Sequence, residues 1–266
     1  MWRKSYFHNA RIEEGINAVL NQRIGFIDPK TLRIDYTEQS MDWNGNWLFF
    51  GNHTALRDCF LWHSIMFKHF HLVPEYCRLR CYKVVVKVRN FMEAIQFHNL
   101  MLAGPLIEGD IVPIQGKVGM DTRFYSEGVF NGFIYADGLE DALEKYTYVR
   151  RGVSAYLSPE IPVIIKRTCT EFEREFGPTD SPYWQSMSQE DLDIQHHLED
   201  IFHSELNMSI QPDWIKNKLI IRFARWANTV GDKTWAEYFG ADHLTMKAVT
   251  YQHLVKGDAQ NDSSQD

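Results

Sequence analysis

Trp47-Leu48-Phe49-Phe50-Gly51-Asn52-His53-Thr54-Ala55-Leu56-Arg57-Asp58 is the stretch on which the reading of the fold turns. An apolar run stops at Gly51, a histidine follows, and a carboxylate comes five positions after that. A nearly unbroken apolar stretch then runs from Cys59 to Phe67. The pattern predicts a buried strand over Trp47–Phe50, a turn, and a long, mostly buried helix over Thr54–Phe70. His53 then falls at the rim of a sheet, with Asp58 on the first helical turn, near enough to fold back onto the ring. A carboxylate on one imidazole nitrogen fixes the tautomer and leaves the other nitrogen free to take a proton from a hydroxyl, which suits acyl transfer. The plainer alternative is a turn histidine bonded to backbone and an acid favoured at a helix start.

Working outward, residues 1–25 read as a helix and Thr31–Tyr36 as a strand. Tyr82–Val88, Ile111–Ile114, Gly132–Tyr135 and Ile161–Ile165 read as further strands, and Phe91–Leu102, Thr122–Phe130 and Val153–Leu157 as helices. Strands alternating with helices from about 45 to 168 predict an α/β fold, a mainly parallel central sheet with helices on both faces. A C-terminal helical extension over 183–256 follows, with amphipathic Pro212–Ala227. The expected organisation is one domain over 1–256, with its core at 45–168, and a disordered tail over 257–266. Ligand sites in such sheets lie beyond the carboxyl ends of strands, where both His53 and Asp137 fall.

The formal net charge of −7 argues against a nucleic-acid partner. Charge is uneven: Arg78, Arg80, Lys83, Lys87 and Arg89 form a basic segment, and Asp137, Glu140, Asp141 and Glu144 an acidic one. The basic segment suits an acidic carrier protein or anionic lipid head groups, or else marks an exposed strand edge. Four cysteines, Cys59, Cys77, Cys81 and Cys169, show neither a disulfide framework nor paired metal spacing, which fits a reducing compartment. The histidines at 63, 69, 71, 196, 197 and 203 lack the spacing of a zinc site, and no metal is expected. No window reaches the ~18 apolar residues of a membrane span, and the first sixteen residues have no signal-peptide core. Pro212–Ala227, with tryptophans opposite Lys and Arg, suits either a membrane interface or ordinary packing.

Three segments follow His53 in fixed order: Gly109–Gly116, Gly132–Asp141, and Arg150–Tyr156 leading into Ile161-Pro162-Val163-Ile164. This order over about residues 45–168 resembles the glycerolipid and lysophospholipid acyltransferase superfamily, whose first motif is Asn-His-(four residues)-Asp. Asn52, His53 and Asp58 match that motif intact. The family's second motif ends in Arg, where this chain has Gln115. Its third reads Glu-Gly-Thr-Arg-Ser, where this chain has Asp137-Gly138-Leu139-Glu140-Asp141. The resemblance implies His53 as general base on an acceptor hydroxyl, Asp58 orienting it, and a thioester donor on coenzyme A or a carrier protein's phosphopantetheine, with no bound cofactor. Asn52, Arg57, Gln115, Asp137, Gly138, Glu140 and Asp141 are the substrate-binding candidates.

Of the family's two arginines one is replaced by neutral Gln115 and the other by an acid, which disfavours phosphate monoester acceptors. An acidic rim of Asp137, Glu140 and Asp141 favours a cationic group instead, such as glycyl. The chain thus looks similar to the superfamily's lipid A glycyltransferase branch. The expectation is an enzyme at the cytoplasmic face of the inner membrane, peripheral to it, moving a glycyl group from an acidic carrier protein to a membrane lipid. The alternatives are fatty-acyl transfer to a non-phosphate acceptor and a non-catalytic lipid- or carrier-binding relative. The acidic segment also reads as a solvated loop, and Asp137-Gly138 as plain turn chemistry.

Overall fold

The computed structural model describes residues 10–21, 26–27, 34–35, 45–51, 59, 61–104, 106–107, 110–111, 114–203 and 211–240. Asn52, His53, Arg57 and Asp58 lie outside the described residues, as does the tail.

Five strands form the central sheet: β1 (Trp47–Phe50), β2 (Cys81–Val86), β3 (Gly116–Met120), β4 (Phe130–Asp137) and β5 (Val163–Arg167). Their order is β1-β3-β4-β2-β5, and every neighbouring pair is antiparallel. The expected mainly parallel sheet is therefore wrong. The reason is topological. β2 reaches β3 through helix α4 (Phe91–Ala103), and β4 reaches β5 through helix α5 (Leu139–Tyr156). Each crossover joins two strands of the same direction, as alternation of strand and helix predicts. The two crossovers are interleaved, so β4 separates β3 from β2 and β2 separates β4 from β5. Opposed strands become neighbours, and no parallel pair forms in this sheet. Among the described residues the one parallel pairing is a two-residue ladder of Phe202–His203 with Ile34–Asp35.

Other boundaries shift as well. Thr122–Phe130, expected as a helix, is the loop joining β3 to β4 and the first residue of β4. β3 itself, with two glycines and a lysine in Gly116–Met120, carries too weak an apolar signal to be read from sequence. The helix foreseen at Val153–Leu157 begins at Leu139. The segment after Cys59 is π-helical over Leu61–Phe67 and continues as α2 (Lys68–Phe70); with the short helix α3 (Glu75–Leu79) it leads into β2. In the N-terminal region the described helix is α1 (Ala10–Asn21).

Alternation along the strands divides the sheet into two faces. Leu48, Phe50, Val84, Val86, Val118, Met120, Phe130, Ile134 and Val163 face a buried core. Phe91, Ile95, Phe97 and Met101 of α4 and Val149 and Val153 of α5 complete it. So do Ile215, Leu219, Phe223, Ala224 and Ala227 of the C-terminal helix Asp213–Thr229. That helix thus spends its apolar face on ordinary packing, leaving Trp214 67% exposed on the outside.

The other face is polar and only partly covered. Register places Phe49, Lys117, Phe133, Val85 and Ile164 side by side across all five strands. The adjacent row places Tyr135, Lys83 and Lys166 side by side. Two lysines directly opposite one another on neighbouring strands repel unless anions are supplied. The basic segment accordingly turns out to run through an interior strand, β2, and the residues flanking it, with partners inside the chain. Arg78 is buried against Tyr183 and paired with Asp191 at 3.3 Å, Arg80 pairs with Asp137, Lys87 with Glu127, and Arg89 with Glu93.

Candidate functional site

Lys166 finds its anion in Glu173. Lys83 finds a thiol: its Nζ donates to Cys169 Sγ at 2.6 Å. Cys169 opens the helix Thr170–Phe176 just after β5, and Thr168 before it has a φ of 49° although β-branched. Left-handed backbone at a β-branched residue is strained, and here it lets the chain leave β5 abruptly. Thr168 is fully buried, and its hydroxyl has no hydrogen-bond partner among the described residues. From the opposite side the π-helical turn presents His63, whose Nε2 lies 3.0 Å from Cys169 Sγ. Phe172 stacks flat on the His63 ring, centroids 4.4 Å apart, and fixes its orientation. Widened π-turns often accompany functional positions because they re-aim one side chain relative to a regular helix.

Electrostatics make Cys169 a thiolate. Burial alone pushes its pKa up, but the Lys83 ammonium and then His63 outweigh it, and the net value falls to about 6. Lys83 is itself buried, which favours its neutral form, yet Cys169 and neighbouring groups hold its pKa well above the ordinary value. Lys83 and Cys169 thus form an ammonium–thiolate pair rather than a neutral one. Cys59, by contrast, is pushed by burial up to about 12 and stays a thiol. Burial also keeps Tyr135 a neutral phenol, able to donate. Lys117, desolvated and repelled by Lys83, drops to about 8, with its ammonium 4.3 Å from the Trp47 ring.

These groups line a cavity of about 390 Å³ on the polar sheet face, together with Trp47, Phe49, Arg123 and Glu171. Arg123 binds Asp121, its Nε donating at 2.6 Å, and pairs with Glu171. Burial raises the Glu171 carboxyl but the Arg123 charge dominates, leaving it near 2. Beyond Arg123 a second cavity of about 320 Å³ shares Asp121, Arg123 and Phe133 with the first. A larger groove of about 590 Å³ between α4 and α5 contains no thiol, imidazole or carboxylate among its lining residues.

The candidates named from sequence are distributed differently. Gln115 sits just before β3, its carbonyl accepting from the Tyr135 N–H at 3.0 Å; its side chain is not among the cavity's lining residues. Asp137 ends β4 and pairs with Arg80 at 2.6 Å. Gly138 has a φ of 92°, a left-handed turn that favours glycine before α5. Glu140 and Asp141 occupy the first turn of α5, where acids complement the helix dipole. Asp141 accepts from the Asp137 N–H at 2.7 Å and pairs with Lys145 at 2.8 Å. None of these four lines the cavity. Turn and helix-start chemistry account for them.

His63, Lys83, Lys117, Tyr135 and Cys169 were not singled out as a site from sequence. His63 and Cys169 are 106 positions apart, and no local spacing links them. One usable signal was Lys83, a lysine set within the apolar strand Cys81–Val86. The chain matches no known family model, and no curated protein or solved structure proved similar to it.

Proposed function

We propose that this chain transfers an acyl-type group from a thioester donor to a hydroxyl, with the cavity beside Cys169 as the seat of the reaction. One observation carries the reading: Phe49 and Cys59, which flank Asn52–Asp58 on either side, both line that cavity. The described residues on both sides of the His53–Asp58 motif thus belong to a pocket rich in thiolate, ammonium and phenol groups, which supports the reading. Gly51 makes the departure from β1 possible, with a φ of 81° and a position for Cβ only 2.2 Å from the Ile114 carbonyl.

In this reading His53 accepts the hydroxyl proton and Asp58 orients the ring, which typically contributes about 10²–10⁴-fold in rate. Lys117 and Tyr135 supply cavity-lining donors to the developing oxyanion. The resemblance supplies the acceptor class, a membrane lipid, and the donor class, coenzyme A or a carrier protein. The lining balances Lys83, Lys117 and Arg123 against the Cys169 thiolate, Asp121 and Glu171, so it holds no surplus acid for a glycyl ammonium and suits an uncharged acyl group better. The acids invoked for a glycyl ammonium are engaged by Arg80 and Lys145 or lie apart from the cavity. The test is a lipid-modification assay with octanoyl- or glycyl-loaded carrier protein, wild type beside His53→Ala. Loss of labelled lipid in the variant is expected; equal product from both removes the reading.

A further inference from the structure

The thiolate in this cavity has no part in direct transfer from thioester to hydroxyl, yet three elements converge to make it. β2 supplies Lys83, the π-helical turn supplies His63, and the end of β5 supplies Cys169, with contacts of 2.6 and 3.0 Å. An ordinary core cysteine is an inert small hydrophobe and needs no charged partners. Burying an ammonium on an interior strand is costly unless it is paired and hydrogen-bonded, and here a thiolate supplies the pairing. Cys77 shows the ordinary case in the same region: buried among apolar neighbours, its thiol pushed well up.

We infer that Cys169 is a covalent relay, accepting the acyl group from the thioester donor before it passes to the hydroxyl. This rests on the acyl-transfer reading and adds a second catalytic residue to it. In the first half-reaction the Cys169 sulfur attacks the donor carbonyl carbon. A new S–C bond forms, the donor C–S bond breaks, and the donor sulfur leaves with that electron pair as a thiolate, to be protonated by solvent. In the second, the acceptor oxygen attacks the acyl-Cys169 carbonyl and gives up its proton to the general base of the acyl-transfer reading. The O–C bond forms, and Cys169 departs as the thiolate that Lys83 and His63 already hold. Acylation gives up the Lys83–thiolate pairing, but a low-pKa sulfur is the better leaving group in the second step, and the relay frees the donor before the acceptor binds. Lys83 and His63 act through Cys169 as positioning residues.

The experiment uses the full-length chain with octanoyl-pantetheine and no acceptor, quenched in acid and weighed intact. One octanoyl group per chain is expected, mapped to the Cys169 peptide and removed by neutral hydroxylamine. Cys169→Ala should carry none and transfer nothing. Cys169→Ser, which preserves packing, should be labelled at least tenfold more slowly and resist hydroxylamine at neutral pH. His53→Ala should accumulate the labelled species while failing to modify lipid. Lipid product from Cys169→Ala at the wild-type rate, or label on any other residue, overturns the relay and leaves direct transfer standing. Wild type that neither takes the label nor modifies lipid overturns both the relay and the function it rests on.

Discussion

Replacing Lys83 with Met keeps most of the buried stem and removes the charge that Cys169 pairs with. The thiol pKa should then rise from about 6 towards its ordinary 9.0 or beyond, since burial remains. At pH 7 the thiolate fraction falls from about nine-tenths to about one hundredth. A more basic thiolate is also a better nucleophile; a Brønsted slope of about 0.4–0.5 over three pKa units returns roughly 15–30-fold. At pH 7 wild type keeps about a three- to sixfold advantage, and the two effects separate at the extremes. Near pH 5.5 wild type should react with a small thiosulfonate about 30-fold faster than Lys83→Met. Near pH 9 the order should invert, the variant being about tenfold faster. The assay follows labelling of the Cys169 peptide by mass spectrometry from pH 5 to 10. Cys59 should stay silent below pH 8, its thiol being pushed up to about 12. An inflection near 6 in both proteins, or near 9 in both, would falsify the ammonium–thiolate pair.

Three further expectations follow from the same geometry. The Glu171 carboxyl sits near 2 in the fold against an ordinary 4.5, so its contribution is complete above about 4.5 and drains away as pH falls through 2. Urea midpoints should therefore decline more between pH 5 and 2.5 in wild type than in Glu171→Gln, and parallel declines would contradict the Arg123–Glu171 pairing. Gly51→Ala forces a side chain onto a φ of 81° and against the Ile114 carbonyl, which should lower stability by about 1–3 kcal/mol; an unchanged urea midpoint counts against the turn. Glu140→Arg, on the first turn of α5 and away from the cavity, should alter transfer by less than about twofold at the low cost usual for surface substitutions. A tenfold change in preference between glycyl and octanoyl donors would restore the acidic rim as a specificity element.

Local pattern made several elements legible. The apolar run ending at Gly51 is β1, the β-branched Cys81–Val86 is β2, and the amphipathic stretch after Pro212 is a helix packed by its apolar face. Each rests on a periodicity of a few residues, which a linear chain carries by itself. Strand direction does not. The same alternation of strand and helix is compatible with side-by-side or interleaved crossovers, and only the pairing of β4 with β2 decides between them.

The polar cavity follows the same division. That Asn52, His53 and Asp58 stand after a buried strand, and that Lys83 interrupts an apolar one, is visible along the chain. The folded structure alone brings Lys83, His63 and Cys169 together. Contacts across 86 and 106 positions are set by sheet register and helix packing, which no spacing along the chain encodes. It likewise decided that the acids of Asp137–Asp141 satisfy a turn, a helix start, Arg80 and Lys145. A charge in a sequence has no partner until the fold supplies one, and the partner determines whether that charge binds a substrate, closes a turn or makes a nucleophile.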